Sequence, residues 1–404
     1  MPIDLQTVLS YNIHVNFLRI MGDFGARVRK MGENMTEQTF GDLSVISMRG
    51  AEDFTAQVDG YLKEWRNHDN ERSFIAETAC PRFGSGEGKG IVKNSLRGKD
   101  VYIICDVFNH GVTYSMYGVT VPMSPDEHYQ DLKRIIGAIG GKARRISVIM
   151  PMLYEGRQHK RSARESLDCA MALQELVNLG VTNLITFDAH DPRVQNAIPL
   201  HGFDNCRSSY QMIKAMIREY PDIEIDPEKM MIISPDEGGM SKCMYYSSMM
   251  GIDLGMFYKR RNYSVIVNGK NPIEAHEYLG RTVEGKDVII VDDMISSGES
   301  VIDVAEQLKE KGAKRIFVFA TFGLFCNGLE GMDAAYENGL ITRIFTTNLV
   351  YRTPELLQRE WYAEVNMCKY VAYIIDTLNH DQTISVLLDQ SKRIRRILDE
   401  HRKK

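Results

Sequence analysis

Two rhythms of apolar and polar positions alternate along the chain. Unbroken apolar runs occur at VYIICDV (Val101–Val107), ISVIMPM (Ile146–Met152) and NLITFDAH (Asn183–His190). Later ones occur at KMMIISPDEGG (Lys229–Gly239), LGMFYKRR (Leu254–Arg261), DVIIVDDM (Asp287–Met294) and RIFVFATFG (Arg315–Gly323). Runs of this kind predict strands buried on both faces. Amphipathic stretches lie between them, from about Asp126 to Ile139, at ESLDCAMALQELVNLG, and at ESVIDVAEQLKEKG, where Gly312 supplies a helix stop. Strand–helix alternation predicts an α/β fold with mostly parallel sheets flanked by helices. The rhythm runs through two cycles with a break near HGFDNCRSS, which predicts two tandem domains. We divide the chain into an N-terminal extension (1–43), a first α/β domain (44–205), a second (206–380) and a C-terminal amphipathic helix with a basic face (381–404).

Polar residues gather just past the strands: Asp188 and His190, Asp236 to Gly239, and Asp292 onward. Ligands of open parallel sheets bind at these carboxyl ends. The stretch VIIVDDMISSGES (Val288–Ser300) is the most informative. A Gly/Ser-rich turn that opens a helix exposes backbone N–H groups at the positive helix end, which is an anion site suited to phosphate. Ser297 and Ser300 add hydroxyl donors. Asp292 and Asp293 would repel phosphate, so they suit sugar hydroxyls or a metal ion. Phosphate plus a diol describes a ribose phosphate.

Bulk properties narrow the field. A net charge of -5 leaves no global basic field for nucleic acid, although GRQHKRSAR and FYKRR are basic locally. The 7 cysteines form no C-x-x-C pair, which argues against a zinc site or disulfide framework and suits a reducing cytoplasm. The N-terminus lacks the pattern of a signal peptide, and no run approaches the roughly 18 apolar residues of a membrane span. RFGSGEGKG fails as a Walker A loop, because Phe83 and Gly90 stand where Gly and Ser/Thr are required.

VIIVDDMISSGES resembles the phosphoribosyl-diphosphate motif of type I phosphoribosyltransferases and of ribose-phosphate diphosphokinases. The resemblance implies that Asp292 and Asp293 hold the ribose hydroxyls, and that Ser296, Ser297, Gly298 and Ser300 hold the 5-phosphate. Asp236 is assigned to the same substrate. Glu299 stands where the family usually has glycine, so its carboxylate must point away from the phosphate. PMLYEGRQHKRSARES resembles the family's ARQD(R/K)K loop, which implies ATP contacts from Arg157 and Gln158. ITFDAHDPRVQNAIP resembles DLHAxQIQGFF, which makes His190 the catalytic histidine and Asp188 with His190 the candidate metal pair. Two side chains two apart at a strand end should share one face. Asp191, Pro192 and Arg193 depart from the pattern. FYKRRNYS resembles the mobile catalytic loop, with Lys259 and Arg261 clamping phosphates. RFGSGEGKG sits where the family has FSNGE, a loop reaching a neighbouring subunit's ATP site. Phe83 would then stack on adenine while Ser85 and Glu87 hydrogen-bond, and the alternative is a plain glycine-rich hairpin.

These stretches occur in the family's order from about Ser44 to Val371. They resemble ribose-phosphate diphosphokinases, with two phosphoribosyltransferase-like domains, the first on the ATP side and the second on the ribose 5-phosphate side. The resemblance implies Mg²⁺ as cofactor, ATP and ribose 5-phosphate as partners, a cytoplasmic location, and a homo-oligomer built as dimer or hexamer. No nucleic acid or membrane partner is implied. Two alternatives stay open: a phosphoribosyltransferase that consumes phosphoribosyl diphosphate, and a non-catalytic regulatory homologue.

Overall fold

The computed structural model describes residues 39–66, 73–261 and 273–403. The strands in chain order are β1 (Leu43–Ser47), β2 (Thr78–Ala79), β3 (Ile91–Val92), β4 (Asp100–Ile104), β5 (Thr113–Met116), β6 (Val119–Pro122), β7 (Arg145–Ile149) and β8 (Asn183–Phe187). They continue as β9 (Gly202–Cys206), β10 (Met230–Ser234), β11 (Asp253–Arg261), β12 (Ile273–Leu279), β13 (Asp287–Ile295), β14 (Ile316–Gly323), β15 (Arg343–Thr347) and β16 (Tyr362–Val365).

Two sheets dominate. The first has the order β1-β4-β7-β8-β9, parallel throughout. The second has the order β12-β11-β10-β13-β14-β15-β16, parallel except for the β11–β12 pair. β4 and β10 are buried along their whole length, as expected for central parallel strands covered on both faces. Val288, Ile289, Ile290 and Val291 are each at most 1% exposed. Burying such a side chain is worth about 1.5–3 kcal/mol before entropy is counted, so this run fixes β13 at the sheet centre.

Helices begin and end where local chemistry dictates. In Pro125–Ile139 the Ser124 side chain accepts from the Glu127 N–H while the Glu127 side chain accepts from the Ser124 N–H, and Gly140 closes the helix in the left-handed region. The helix Glu299–Glu310 follows Gly298, whose φ of 92° lies in the region that favours glycine. The basic C-terminal segment differs from expectation. It breaks into Ser385–Leu388 and Ser391–Arg402, because Gln390 turns inward: its Oε1 accepts from Tyr210 N and its Nε2 donates to Arg207 O. Ile394 and Leu398 then bury against the core while Lys392, Arg395 and Arg396 stay exposed.

One apolar core spans both sheets, joining Val45, Ile104 and Ile185 to Ile232, Ile289 and Phe319. Around it the helix Cys368–Asn379 lies against the helix Glu52–Trp65, with Trp65 and Tyr373 stacked at 4.3 Å. Arg66 pairs with Asp376 at 2.8 Å, and Asn379 donates to Asp100 and to the Gly41 carbonyl. The carboxylate of Asp106, just past β4, accepts from Phe108 N and from Tyr351 N of the other half. The two sheets are thus locked so that strand ends from both face a common cleft.

Candidate functional site

That cleft, about 140 Å³, is lined from one side by Leu153, Arg157, Asp188 and His190, and from the other by Asp293, Met294 and Phe322. The first group follows β7 and β8; the second sits at the ends of β13 and β14. His190 Nδ1 lies 2.6 Å from Asp293 Oδ2 across the cleft. The sequence placed these two residues in different domains with different substrates.

The charges around this bond are ordered. Asp293 Oδ1 accepts from Met294 N, and Asp292 Oδ1 accepts from Asp293 N. Burial alone would raise Asp293, but the His190 hydrogen bond and the nearby Lys242 charge outweigh it and hold this carboxyl well below the usual range. Burial, reinforced by the Asp293 charge, pushes Asp292 well above it. His190 is raised by its bond to Asp293, which favours imidazolium.

Asp188 and His190 both reach the cleft, but not by strand alternation. β8 ends at Phe187, and Asp188 takes a left-handed φ of 39°. Its side chain is buried, and Oδ2 accepts from Ser208 Oγ at 2.7 Å, Ser208 N at 3.2 Å and Thr321 Oγ1 at 2.7 Å. Thr321 belongs to β14, so Asp188 ties the first sheet to the second. Its Oδ1 lies 3.8 Å from Lys242 Nζ, which also donates to the Asp292 carbonyl at 3.4 Å. Among the described residues, no three His, Cys, Asp or Glu side chains form a cluster that could hold a metal ion. The donors the cleft offers are His190 Nε2 and Asp188 Oδ1. A sparse set of this kind fits Mg²⁺, which keeps waters and takes most of its oxygens from substrate phosphates.

The loop after β13 is built as expected. Ser296 and Ser297 lead into Gly298, and the helix Glu299–Glu310 starts there. Glu299 is exposed and accepts from Asn327 Nδ2 at 3.3 Å, which turns its carboxylate toward the next loop. Ser296 Oγ lies 3.8 Å from Cys326 Sγ. Asp236 sits beside this loop and caps a turn, with Oδ1 accepting from Gly239 N at 3.1 Å.

Other expected residues are distributed differently. Arg157 lines the cleft, whereas Gln158 lies one residue outside it with its N–H bonded to the Glu155 carbonyl. Phe83, Ser85 and Glu87 do not line the cleft of their own chain. They form a hairpin closed by Phe83 N to Glu87 O and by Ser85 Oγ to Glu87 Oε2, with the Phe83 side chain 59% exposed. Lys259, Arg260 and Arg261 end β11, whose backbone pairs with β12 through a register shift between Arg260 and Arg261. The strand ends at Arg261, as the run Leu254–Arg261 suggested. The polar segment 262–272, read as a mobile lid, lies outside the described residues.

Sequence reasoning missed Lys242, Ser208, Thr321 and the pair His159–Asp191. Lys242 was findable, because it opens the helix after β10 on the strand-end side already singled out. Ser208 and Thr321 carry no local signal; only the packing of β14 beside β8's end assigns them. His159 Nε2 lies 3.5 Å from Asp191 Oδ2, and its ring stands edge-on to that of His190 with centroids 5.2 Å apart.

Comparison with known proteins yields a consistent set. Residues 43–180 match the N-terminal domain of ribose phosphate pyrophosphokinase, and residues 262–389 match the phosphoribosyl synthetase-associated domain. The Vibrio cholerae ribose-phosphate pyrophosphokinase is 26% identical over 322 residues, covering 78% of this chain and 92% of the relative. The Staphylococcus saprophyticus enzyme of that name is 24% identical over 351 residues, covering 86% and 97%. The crystal structure of phosphoribosylpyrophosphate synthetase from Mycobacterium smegmatis superposes with a TM-score of 0.68 at 19% identity, covering 84% of this chain and 99% of that one. The last likeness is one of fold: two tandem phosphoribosyltransferase-like domains.

Proposed function

The chain belongs to the ribose-phosphate pyrophosphokinase family, and from that premise we propose that it transfers the diphosphoryl group of Mg–ATP to the 1-hydroxyl of ribose 5-phosphate. The products are phosphoribosyl diphosphate, a precursor for nucleotide biosynthesis, and AMP. The observation that carries this reading is the His190–Asp293 hydrogen bond, which joins the donor-side histidine to the acceptor-side acid in one cleft.

The anomeric hydroxyl of ribose 5-phosphate attacks the β-phosphorus, and the bond to the α–β bridging oxygen breaks. Such chemistry asks for alignment and charge neutralisation rather than a covalent intermediate. Asp292 and Asp293 take the ribose hydroxyls. Asp292, pushed upward by burial and its neighbour, can donate as well as accept. Ser296, Ser297, Gly298 and Ser300 take the 5-phosphate at the helix N-terminus, and Asp236 shapes the adjoining turn. With Nδ1 held by Asp293 and the imidazolium favoured, His190 presents Nε2–H to the donor phosphates. Arg157 meets the phosphates from the loop after β7, and Gln158 approaches the nucleotide. Lys259 and Arg261 close over the transferring group. When bound with ATP, Mg²⁺ would withdraw charge from the phosphates; Asp188 Oδ1 is the side-chain atom the cleft would offer it, because His190 Nε2 carries a proton and cannot ligate a metal in the same state.

Phe83, Ser85 and Glu87 are assigned to the ATP site of a neighbouring copy, since their hairpin stands away from its own cleft. A homo-oligomer, dimer or hexamer, follows from this assignment. The same reading keeps the division into 1–43, 44–205, 206–380 and 381–404, and a cytoplasmic location. Among the described residues no helix is long and apolar enough to cross a membrane.

The test is an incubation with Mg–ATP and ribose 5-phosphate, scored for AMP and phosphoribosyl diphosphate. Equimolar formation of both supports the reading. Consumption of added phosphoribosyl diphosphate with a nucleobase, and no AMP from ATP, would mark a transferase instead. No turnover of either kind would mark a regulatory homologue.

A further inference from the structure

The donor side departs from the family pattern in two stretches far apart in sequence. GRQHKR carries His159 where the resembling loop has aspartate, and DPRVQNAIP carries Asp191 and Arg193. The fold brings these departures together. His159 Nε2 faces Asp191 Oδ2 at 3.5 Å, a contact that an aspartate at 159 would turn into repulsion. Asp191 is itself clamped by Arg193, whose Nε lies 2.9 and 3.1 Å from the two carboxylate oxygens and whose backbone N–H donates at 2.9 Å. Asp191 also caps the short helical turn Pro192–Ala197, so its position is set by backbone as well as by charge.

His159 is consequently an enclosed ring on the flank of His190. Its side chain is 12% exposed, and it meets His190 at an interplanar angle of 61°. His190 needs such a support. Its side chain is 39% exposed, and Asp293 alone does not stop the ring from turning about that one hydrogen bond. A second contact on its flank fixes the plane and therefore the direction of Nε2. The imidazole carries a cost, because His159 Nδ1 is buried without a hydrogen-bond partner among the described residues. In return its Nε2 edge faces the Asp191 carboxylate.

We propose that His159, held by Asp191 and Arg193, is a positioning residue that sets the orientation of the His190 ring toward the donor phosphates. The proposal rests on the reading of His190 given above, and the two can fail separately. His159→Ala removes the flank; His159→Phe keeps a ring edge but gives up the Asp191 contact. In steady-state kinetics, His159→Ala should lower kcat about tenfold or more while KM for ribose 5-phosphate stays within about twofold. His159→Phe should recover kcat to within about threefold of the unaltered protein, yet melt at a lower temperature. A purely structural histidine would show the reverse coupling, with kcat following stability in both variants. The second readout is the hydrogen-bonded Nδ1–H resonance of His190 in the resting protein without nucleotide, assigned by its loss in His190→Gln. It should broaden in His159→Ala and persist in His159→Phe. An unaltered protein that makes no phosphoribosyl diphosphate but shows this spectral pattern would sink the functional reading and leave the positioning claim standing. Unchanged kcat and resonance in His159→Ala, or equal damage from both variants, overturns the claim.

Discussion

The two walls of the cleft are built in opposite ways. On the acceptor wall, Asp292 to Ser300 form one continuous stretch from the end of β13 into the next helix, so the backbone brings these groups together. On the donor wall, Arg157 follows β7 while Asp188 and His190 follow β8, and the last two are held by residues remote in sequence, Thr321 and Lys242 for Asp188 and Asp293 for His190. A contiguous wall is specified by local rules of strand, turn and helix cap. An assembled wall is specified only by packing. Substitutions should therefore act narrowly on the first and broadly on the second.

The largest effect should come from Lys259 and Arg261, near the end of β11. If they act on charge that develops during transfer, Lys259→Ala and Arg261→Ala should each lower kcat by about 10²–10³. Either KM should move much less. Arg260→Ala should be tolerated. Steady-state kinetics on the three variants checks this; a raised KM with unchanged kcat for Lys259→Ala would make it a ground-state binding residue.

Next comes the asymmetry within the acid pair. Asp292→Asn should raise KM for ribose 5-phosphate roughly 10- to 100-fold, the scale of a lost hydrogen bond to a charged group, and leave KM for ATP within about twofold. Asp293→Asn should disturb both substrates, because its carboxylate also holds His190. Equal behaviour of the two variants would erase the distinction between the walls.

A stability measurement addresses the contact between the halves. Asp106 is buried and pushed up to about 6, chiefly by burial and against the pull of the Phe108 and Tyr351 N–H groups. A carboxyl raised in the folded state contributes stability that is fully present below its unfolded value near 4 and lost as pH rises through about 6. Asp106→Asn should therefore flatten the fall in stability between pH 4 and pH 8, but at an overall cost, because its Nδ2 cannot accept from one of the two N–H groups that the carboxylate serves; denaturant unfolding at both values reads this. Thr321→Val should act at a single site on the assembled wall. Removing one donor from the buried Asp188 carboxylate should cost about 1–2 kcal/mol of stability while KM for ribose 5-phosphate stays unchanged.

The smallest expected effect concerns regulation. RSARES and the C-terminal segment depart from the family pattern, so ADP should inhibit only by competing with ATP. Titrating ADP at saturating ATP checks it; inhibition that persists there would contradict the expectation.

How much of this was legible follows the same division. β4, β7, β8, β10, β11, β13 and β14 were all visible as apolar runs, because central parallel strands are buried on both faces and carry no polar interruption. β1, β9, β15 and β16 escaped. β9, for instance, reads GFDNC and has only one buried residue, as an edge strand can. The Asp292–Ser300 loop was readable with its phosphate logic, down to the outward turn of Glu299. Asp188 was found, but not its tie to the second sheet. The sequence shows an acid two residues before a histidine; only the fold shows Ser208 and Thr321 occupying one of its oxygens. His159 was seen as one basic residue among several, since its partner Asp191 is 32 positions away.

The central claim is that the two walls form one reacting unit through His190 and Asp293. A double-mutant cycle in kcat/KM measures it directly, using His190→Gln, Asp293→Asn and the two combined. The account predicts that the combined variant loses no more than the worse single variant, since either change already breaks the unit. Losses that multiply would mean that the histidine and the aspartate act independently, and would contradict it.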